Sequence, residues 1–190
     1  MNKQKIARII SEIFNGFLTM MLAPILTIFL SSLPFNLKAI YSALYILLPI
    51  LLYLVLKKLG KVSDYDLTNR KERPIYFSIL TLFFGVLFFI LREYRIEYVT
   101  FVSLALFSIA TAITIVTFFW KISGHMTYST FLFSTLAYII SPYFFLMFLF
   151  TPLIAWSRIE LKKHTLAQTI AGTLLTFAIC SFIYWGLDLF

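Results

Sequence analysis

Charge is almost absent from most of this chain, and where it occurs it comes in short clusters. Between Ile13 and Leu56 the only charged residue is Lys38, and from Met126 to Trp156 there is none. Stretches of this kind satisfy their backbone amides in lipid only as helices. Over 190 residues the chain is 61% hydrophobic and 13% charged, against about half and about a quarter in a soluble domain. That excludes a soluble globular domain, a disordered chain and a disulfide scaffold. Cys180, the single cysteine, can form no internal disulfide and has no cysteine partner for a zinc site; it reads as packing. A net charge of +8 would suggest nucleic acid in a soluble protein. Here the basic residues stand between apolar spans, so they read as membrane orientation and phosphate binding, with no nucleic-acid partner.

The charged clusters and Pro34-Phe35-Asn36 cut the sequence into seven expected spans: Ile13–Ser31, Ala39–Leu56, Pro74–Leu91, Tyr98–Trp120, Tyr128–Ile140, Tyr143–Trp156 and Leu166–Leu187. The fold class is all-α, a polytopic transmembrane bundle forming one integral membrane domain over 1–190. Ser141-Pro142 divides the segment from 128 to 156 into the two short arms of a helical hairpin; one kinked helix is the competing reading. Lys3, Lys5 and Arg8 precede the first apolar run as in a signal peptide. No small-x-small site closes that run and further spans follow, so an uncleaved first span is expected.

Seven spans place the N-terminus, the 57–73 loop, the 121–125 turn and the 157–165 connection on one side. That side carries 13 of the 16 basic residues, the other only Lys38, Arg92 and Arg95. The positive-inside rule makes the rich side cytoplasmic in a multi-pass cell-membrane protein. Setting aside Arg73, Lys121 and Arg158 as site candidates still leaves 10 against 3.

Three polar clusters share that side: Asp64 to Pro74, Lys121-Ile122-Ser123-Gly124-His125, and Ser157 to His164. Each lies at or just before an expected helix start, where free N–H groups and the helix dipole favour an anion. Arg73 and Arg158 have the fork geometry for phosphate oxygens. Ser123 and the Gly124 backbone offer further donors. Two imidazoles, His125 and His164, among such donors suit phosphoryl transfer: one attacks phosphorus and the other protonates the leaving oxygen. Asp64-x-Asp66 has two readings, a magnesium–diphosphate site or ion pairing with neighbouring Arg and Lys.

Ser123-Gly124-His125 followed by Ser157-Arg158-x5-His164, with Arg73-Pro74 upstream, resembles the type 2 phosphatidic acid phosphatase superfamily. These are membrane lipid phosphatases related to vanadium haloperoxidases, with motifs K-x6-R-P, P-S-G-H and S-R-x5-H-x3-D. The resemblance covers roughly Asp66 to Gln168 and implies a six-helix phosphatase-like core over about 57–190, preceded by one extra N-terminal span. By position it implies His164 as nucleophile, His125 as general acid and Arg73, Ser123, Gly124 and Arg158 as phosphate binders, with no metal and no cofactor. Asp66 replaces the first-motif Lys, Ile122 the Pro, and Gln168 the Asp that would orient His164 and stabilise its charge; Gln168 can still accept the imidazole N–H but brings no charge. Lys121, Lys162, Lys163 and Arg70 are candidate substitutes for the missing cation.

The expected function is a membrane phosphatase hydrolysing a lipid phosphate or polyprenyl (di)phosphate through a phosphohistidine, with membrane lipids as surroundings and source of substrate. The alternative is a diverged relative that binds or moves phospholipid or prenyl phosphate without hydrolysis, which Asp66 and Gln168 favour. A metal-dependent prenyl transferase ranks third, because the chain is short for that class and lacks its spaced Asp-rich motifs.

Overall fold

A computed structural model describes residues 2–185. Among them there is no strand, and eight α-helices account for most of the chain: α1 (Lys3–Ile13), α2 (Gly16–Leu30), α3 (Phe35–Lys58), α4 (Arg73–Leu91), α5 (Glu97–Phe119), α6 (Gly124–Thr135), α7 (Thr151–Glu160) and α8 (Leu166–Tyr184). Six segments are long and apolar enough to cross a membrane: Lys3–Leu30, Phe35–Lys58, Arg70–Tyr94, Glu97–Phe119, Pro142–Glu160 and Leu166–Tyr184. Each overlaps a span expected from the sequence; residues 186 and 187 of the last one lie outside the described residues. The expected span Tyr128–Ile140 differs from the rest. It belongs to α6 and a π-helical turn, Leu136–Ile140, and most of it is buried. Ser141, extended at φ −165°, ψ 136°, separates this segment from a 3-10 stretch, Pro142–Phe150, that leads into α7.

The N-terminal dozen residues form a helix rather than a charged flank. Asn2 caps α1, its Oδ1 accepting from Gln4 N at 3.2 Å. Asn15 then restarts the chain, its Oδ1 accepting from Phe17 N at 2.9 Å, an N-cap for α2. One face of α1 carries Lys5, Arg8 and Glu12, which are exposed like Lys3 in its first turn; the other buries Ala7, Ile10 and Ser11.

The chain forms two compact units, one of 1–23 with 122–190 and one of 24–121. The boundary in α2 falls at Pro24, where the missing N–H interrupts the helix ladder. In the second unit α4 and α5 form a helical hairpin. Thr81 and Thr114 hydroxyls meet at 2.9 Å across it. Tyr45 of α3 stacks on Phe84 and donates to Ser103 at 3.3 Å. Gly60 (φ 68°) ends α3 in a Schellman motif, with Lys61 N donating to Leu56 O and Gly60 N to Lys57 O.

The first unit packs α6 against α7, α8 and the 142–150 stretch, and α1 against α7. Along α8 a stripe of Thr169, Gly172, Thr176, Cys180 and Tyr184 is buried, spaced three and four residues apart as one helix face requires. A Cβ on Gly172 would stand 3.0 Å from Ser123 O and 3.1 Å from Thr127 Oγ1, so only glycine lets α8 approach the start of α6 this closely. On the other face of α8, Leu174 and Phe182 are exposed. Hydroxyls inside and large apolar groups outside invert the order of a water-soluble domain and fit a lipid surround.

Candidate functional site

The local fold explains the spacing of the third cluster. Arg158 is the third residue from the C-terminal end of α7. Lys162, at φ 55°, closes that helix in a Schellman motif: Lys163 N donates to Arg158 O at 3.0 Å and Lys162 N to Ile159 O at 2.9 Å. His164 N also approaches Arg158 O, at 3.3 Å. Thr165 then opens α8 in a capping box with Gln168. Five residues between Arg158 and His164 are therefore the last turn of one helix plus its cap. The imidazole sits at the joint between two helices.

His164 Nδ1 lies 3.2 Å from Gln168 Oε1, and that same oxygen accepts from Thr165 N at 3.2 Å. An atom receiving a backbone N–H must be the amide oxygen, so the proton of the neutral imidazole belongs on Nδ1. Nε2 is left with its lone pair.

His125 lies at the other end of the constellation, in the first turn of α6. Ser123 caps that helix: its Oγ accepts from Met126 N at 3.5 Å. The Ser123 N–H donates to Gln168 O at 3.2 Å, which ties the second cluster to the third. His125 is 6% exposed and Arg158 2% exposed. Nη1 of Arg158 is 3.3 Å from His125 Nε2.

A third group completes the contact. Ser11 Oγ of α1 accepts from Arg158 Nη1 and is 3.2 Å from His125 Nε2. It is 4% exposed. Sequence reasoning treated this stretch as a flank and missed Ser11. The available signal was the stripe Ala7, Ile10, Ser11, Phe14, which places one hydroxyl in the middle of an apolar helix face.

The structure thus gathers Ser123, Gly124, His125, Arg158, His164 and Gln168 in the first unit. Arg73, Asp66 and Lys121 belong to the second. Arg73 begins α4, is 2% exposed, and lies 5.4 Å over the Phe77 ring. Lys121 Nζ donates to Thr68 O at 2.9 Å. Arg70 Nη1 donates to Thr117 O and Phe118 O at the end of α5, where a cation complements the helix dipole. Asp64 Oδ1 accepts from Thr68 N and Oγ1, and Asp66 is half-buried in the same loop. Among the described residues no three His, Cys, Asp or Glu side chains cluster as metal ligands would.

An apolar groove of about 310 Å³ runs between α6, α7 and α8, lined by Met126, Pro152, Ala155, Leu166, Ile170 and Leu174 among others. Met126 adjoins His125, and Leu166 follows His164 by two residues.

No protein-family model, no curated protein and no solved structure matches this chain.

Proposed function

We propose that this chain is a multi-pass membrane phosphatase hydrolysing a lipid phosphate or polyprenyl (di)phosphate. The observation that carries the reading is the buried Arg158–His125 contact, in the same unit as a second imidazole, His164, held through Nδ1 by Gln168. A guanidinium that never deprotonates is a fixed counter-charge for phosphate oxygens.

In the proposed reaction Nε2 of His164 attacks phosphorus, and the bond to the lipid oxygen breaks. His125 gives that oxygen a proton, and Arg158 offsets the charge on the equatorial oxygens. Water then attacks the phosphohistidine, releasing phosphate and restoring the imidazole. The groove beside Met126 and Leu166 suits a hydrocarbon tail. The proposed site residues are those of the second and third motifs, all in the first unit. Counting the Gly124–Ile140 segment as a seventh crossing, the distribution of basic residues favours a cytoplasmic N-terminus and site.

One observation favours a second reading. Gln168 is a neutral acceptor shared between Thr165 and His164, and it adds no charge to balance a phosphorylated imidazole. A binder or mover of lipid phosphates without hydrolysis would tolerate that. The test is phosphate release from a panel of lipid phosphates by the purified chain, with His164→Ala as control. Release that His164→Ala abolishes and EDTA spares supports the phosphatase. Lipid-phosphate binding with no release supports the second reading.

A further inference from the structure

His125 must hold a proton on Nε2 to serve as an acid, yet Nε2 faces a guanidinium. Arg158 only donates, so a bare Nε2 can accept from it, whereas a protonated Nε2 would meet donor against donor and cation against cation. The hydroxyl of Ser11 changes this. Its oxygen accepts twice and donates once. With Nε2 bare, the hydroxyl donates to it. With Nε2 protonated, the same oxygen accepts from both Nε2–H and Arg158 Nη1 and sets its partial negative charge beside both positive groups.

We infer that Ser11 is a positioning residue for His125, its hydroxyl allowing Nε2 to carry a proton beside Arg158. The inference rests on the proposed role of His125 as proton donor. Its geometry is firm on each side. Phe14 packs edge-on to Phe133 of α6, with ring centres 6.1 Å apart, and lies 5.6 Å from Phe150, which anchors α1. The other edge of the imidazole meets the start of α2: a Cβ on Gly16 would be 3.5 Å from His125 Nδ1.

The charged group that α7 presents to Nε2 is Arg158, with Glu160, Lys162 and Lys163 further along that helix and its cap. The charged residues of α1, Lys3, Lys5, Arg8 and Glu12, are all exposed. Before α8, His164 is bonded to Gln168. Within α8, Tyr184 is bonded to Thr135, and Cys180 lies one turn before it. The 142–150 stretch carries only Tyr143, which is exposed. Gly16 to Ala23 of α2 carries no titratable side chain.

The experiment uses the full chain in detergent micelles with ¹⁵N-labelled histidine, assigned by His164→Gln. Compared at equal pH across a pH series, the ratio of protonated to bare Nε2 at His125 falls about tenfold in Ser11→Ala, the worth of one charge-assisted hydrogen bond. In Ser11→Thr, which keeps the hydroxyl, it stays within about twofold. Should Ser11→Ala not fold, Ser11→Cys, a weak donor and acceptor of similar size, is expected to show the same fall. Phosphate release from phosphatidic acid vesicles follows the same order in kcat, with KM little changed. An alanine variant with the wild-type nitrogen pattern, or a threonine variant displaced as far as alanine, overturns the inference. A wild-type chain that releases no phosphate from any member of the lipid-phosphate and polyprenyl-phosphate panel ends the phosphatase reading and leaves the nitrogen ratio to decide the role of Ser11.

Discussion

The two units of this chain are built from the same apolar alphabet but fill their interiors differently. In the second unit the buried positions of α4 and α5 are mostly Phe, Leu, Val, Ile and Ala, with Arg73 at the start of α4. In the first, α6 buries His125, Thr127, Ser129, Thr130, Ser134 and Thr135, and α7 buries Ser157 and Arg158. Both units expose large apolar side chains, such as Leu82 in one and Phe182 in the other. Lipid gives helices no hydrophobic reason to associate; both units pair aromatic rings between elements, and the first adds a helix, α6, whose buried positions are rich in hydroxyls. Buried polar groups are costly unless paired. A unit that buries a guanidinium and an imidazole together is where chemistry is to be sought.

Substitutions that remove charge from each unit sharpen the contrast most. Arg158→Met deletes the guanidinium between Ser11 and His125 and is expected to cut phosphate release by about 10²–10³-fold, the scale of a lost transition-state donor. Arg70→Ala removes a cap from α5 in the second unit. It is expected to cost about 1 kcal/mol of stability and leave phosphate release within twofold (roughly, as for substitutions away from a site). Both are read by assay and by denaturation in micelles. Equal loss of activity from the two would break the comparison.

Packing is the next contrast. Gly172→Val forces a branched side chain against Ser123 O and Thr127, with a cost of about 1–3 kcal/mol. It also displaces the start of α6, so activity falls with stability. Thr81→Val in the second unit removes one interhelical hydroxyl contact, worth about 0.6 kcal/mol in a membrane protein. Thermal unfolding in matched micelles separates the two; similar shifts would mean the first unit is no more closely packed at that crossing.

The smallest effect has the opposite sign. Lys162 holds a left-handed conformation at the end of α7. Lys162→Gly relieves it and is expected to raise stability by about 0.5–1 kcal/mol without changing activity. A loss of stability would mean that the lysine side chain contributes more than its backbone strain costs.

Much of the helical layout was legible because charge and proline mark helix ends directly. Lys57 and Lys58 end α3, Arg73-Pro74 opens α4, and Ser141-Pro142 divides the region from 128 to 156. The candidate constellation was legible only as spacing, and its Arg73 falls in the other unit. Its architecture was not legible: the Arg158-x5-His164 interval reads as a string, while its cause is a helix cap followed by a capping box. Thr165-x-x-Gln168 carried the capping signature, but Gln168 was read as a hydrogen-bond partner of His164, which it is, and not as a helix cap. Ser11 was hidden because its partners stand 114 and 147 residues away. The division at Pro24 likewise depends on which helices pack, and no local pattern encodes that.

The central claim is that phosphate passes through the imidazole of His164. The direct measurement is to incubate the purified chain with ³²P-labelled phosphatidic acid, quench with base, and ask where the label sits. A base-stable, acid-labile label on the protein, present in wild type and absent from His164→Ala, is the expected result. Lipid hydrolysed at an undiminished rate by His164→Ala would contradict it.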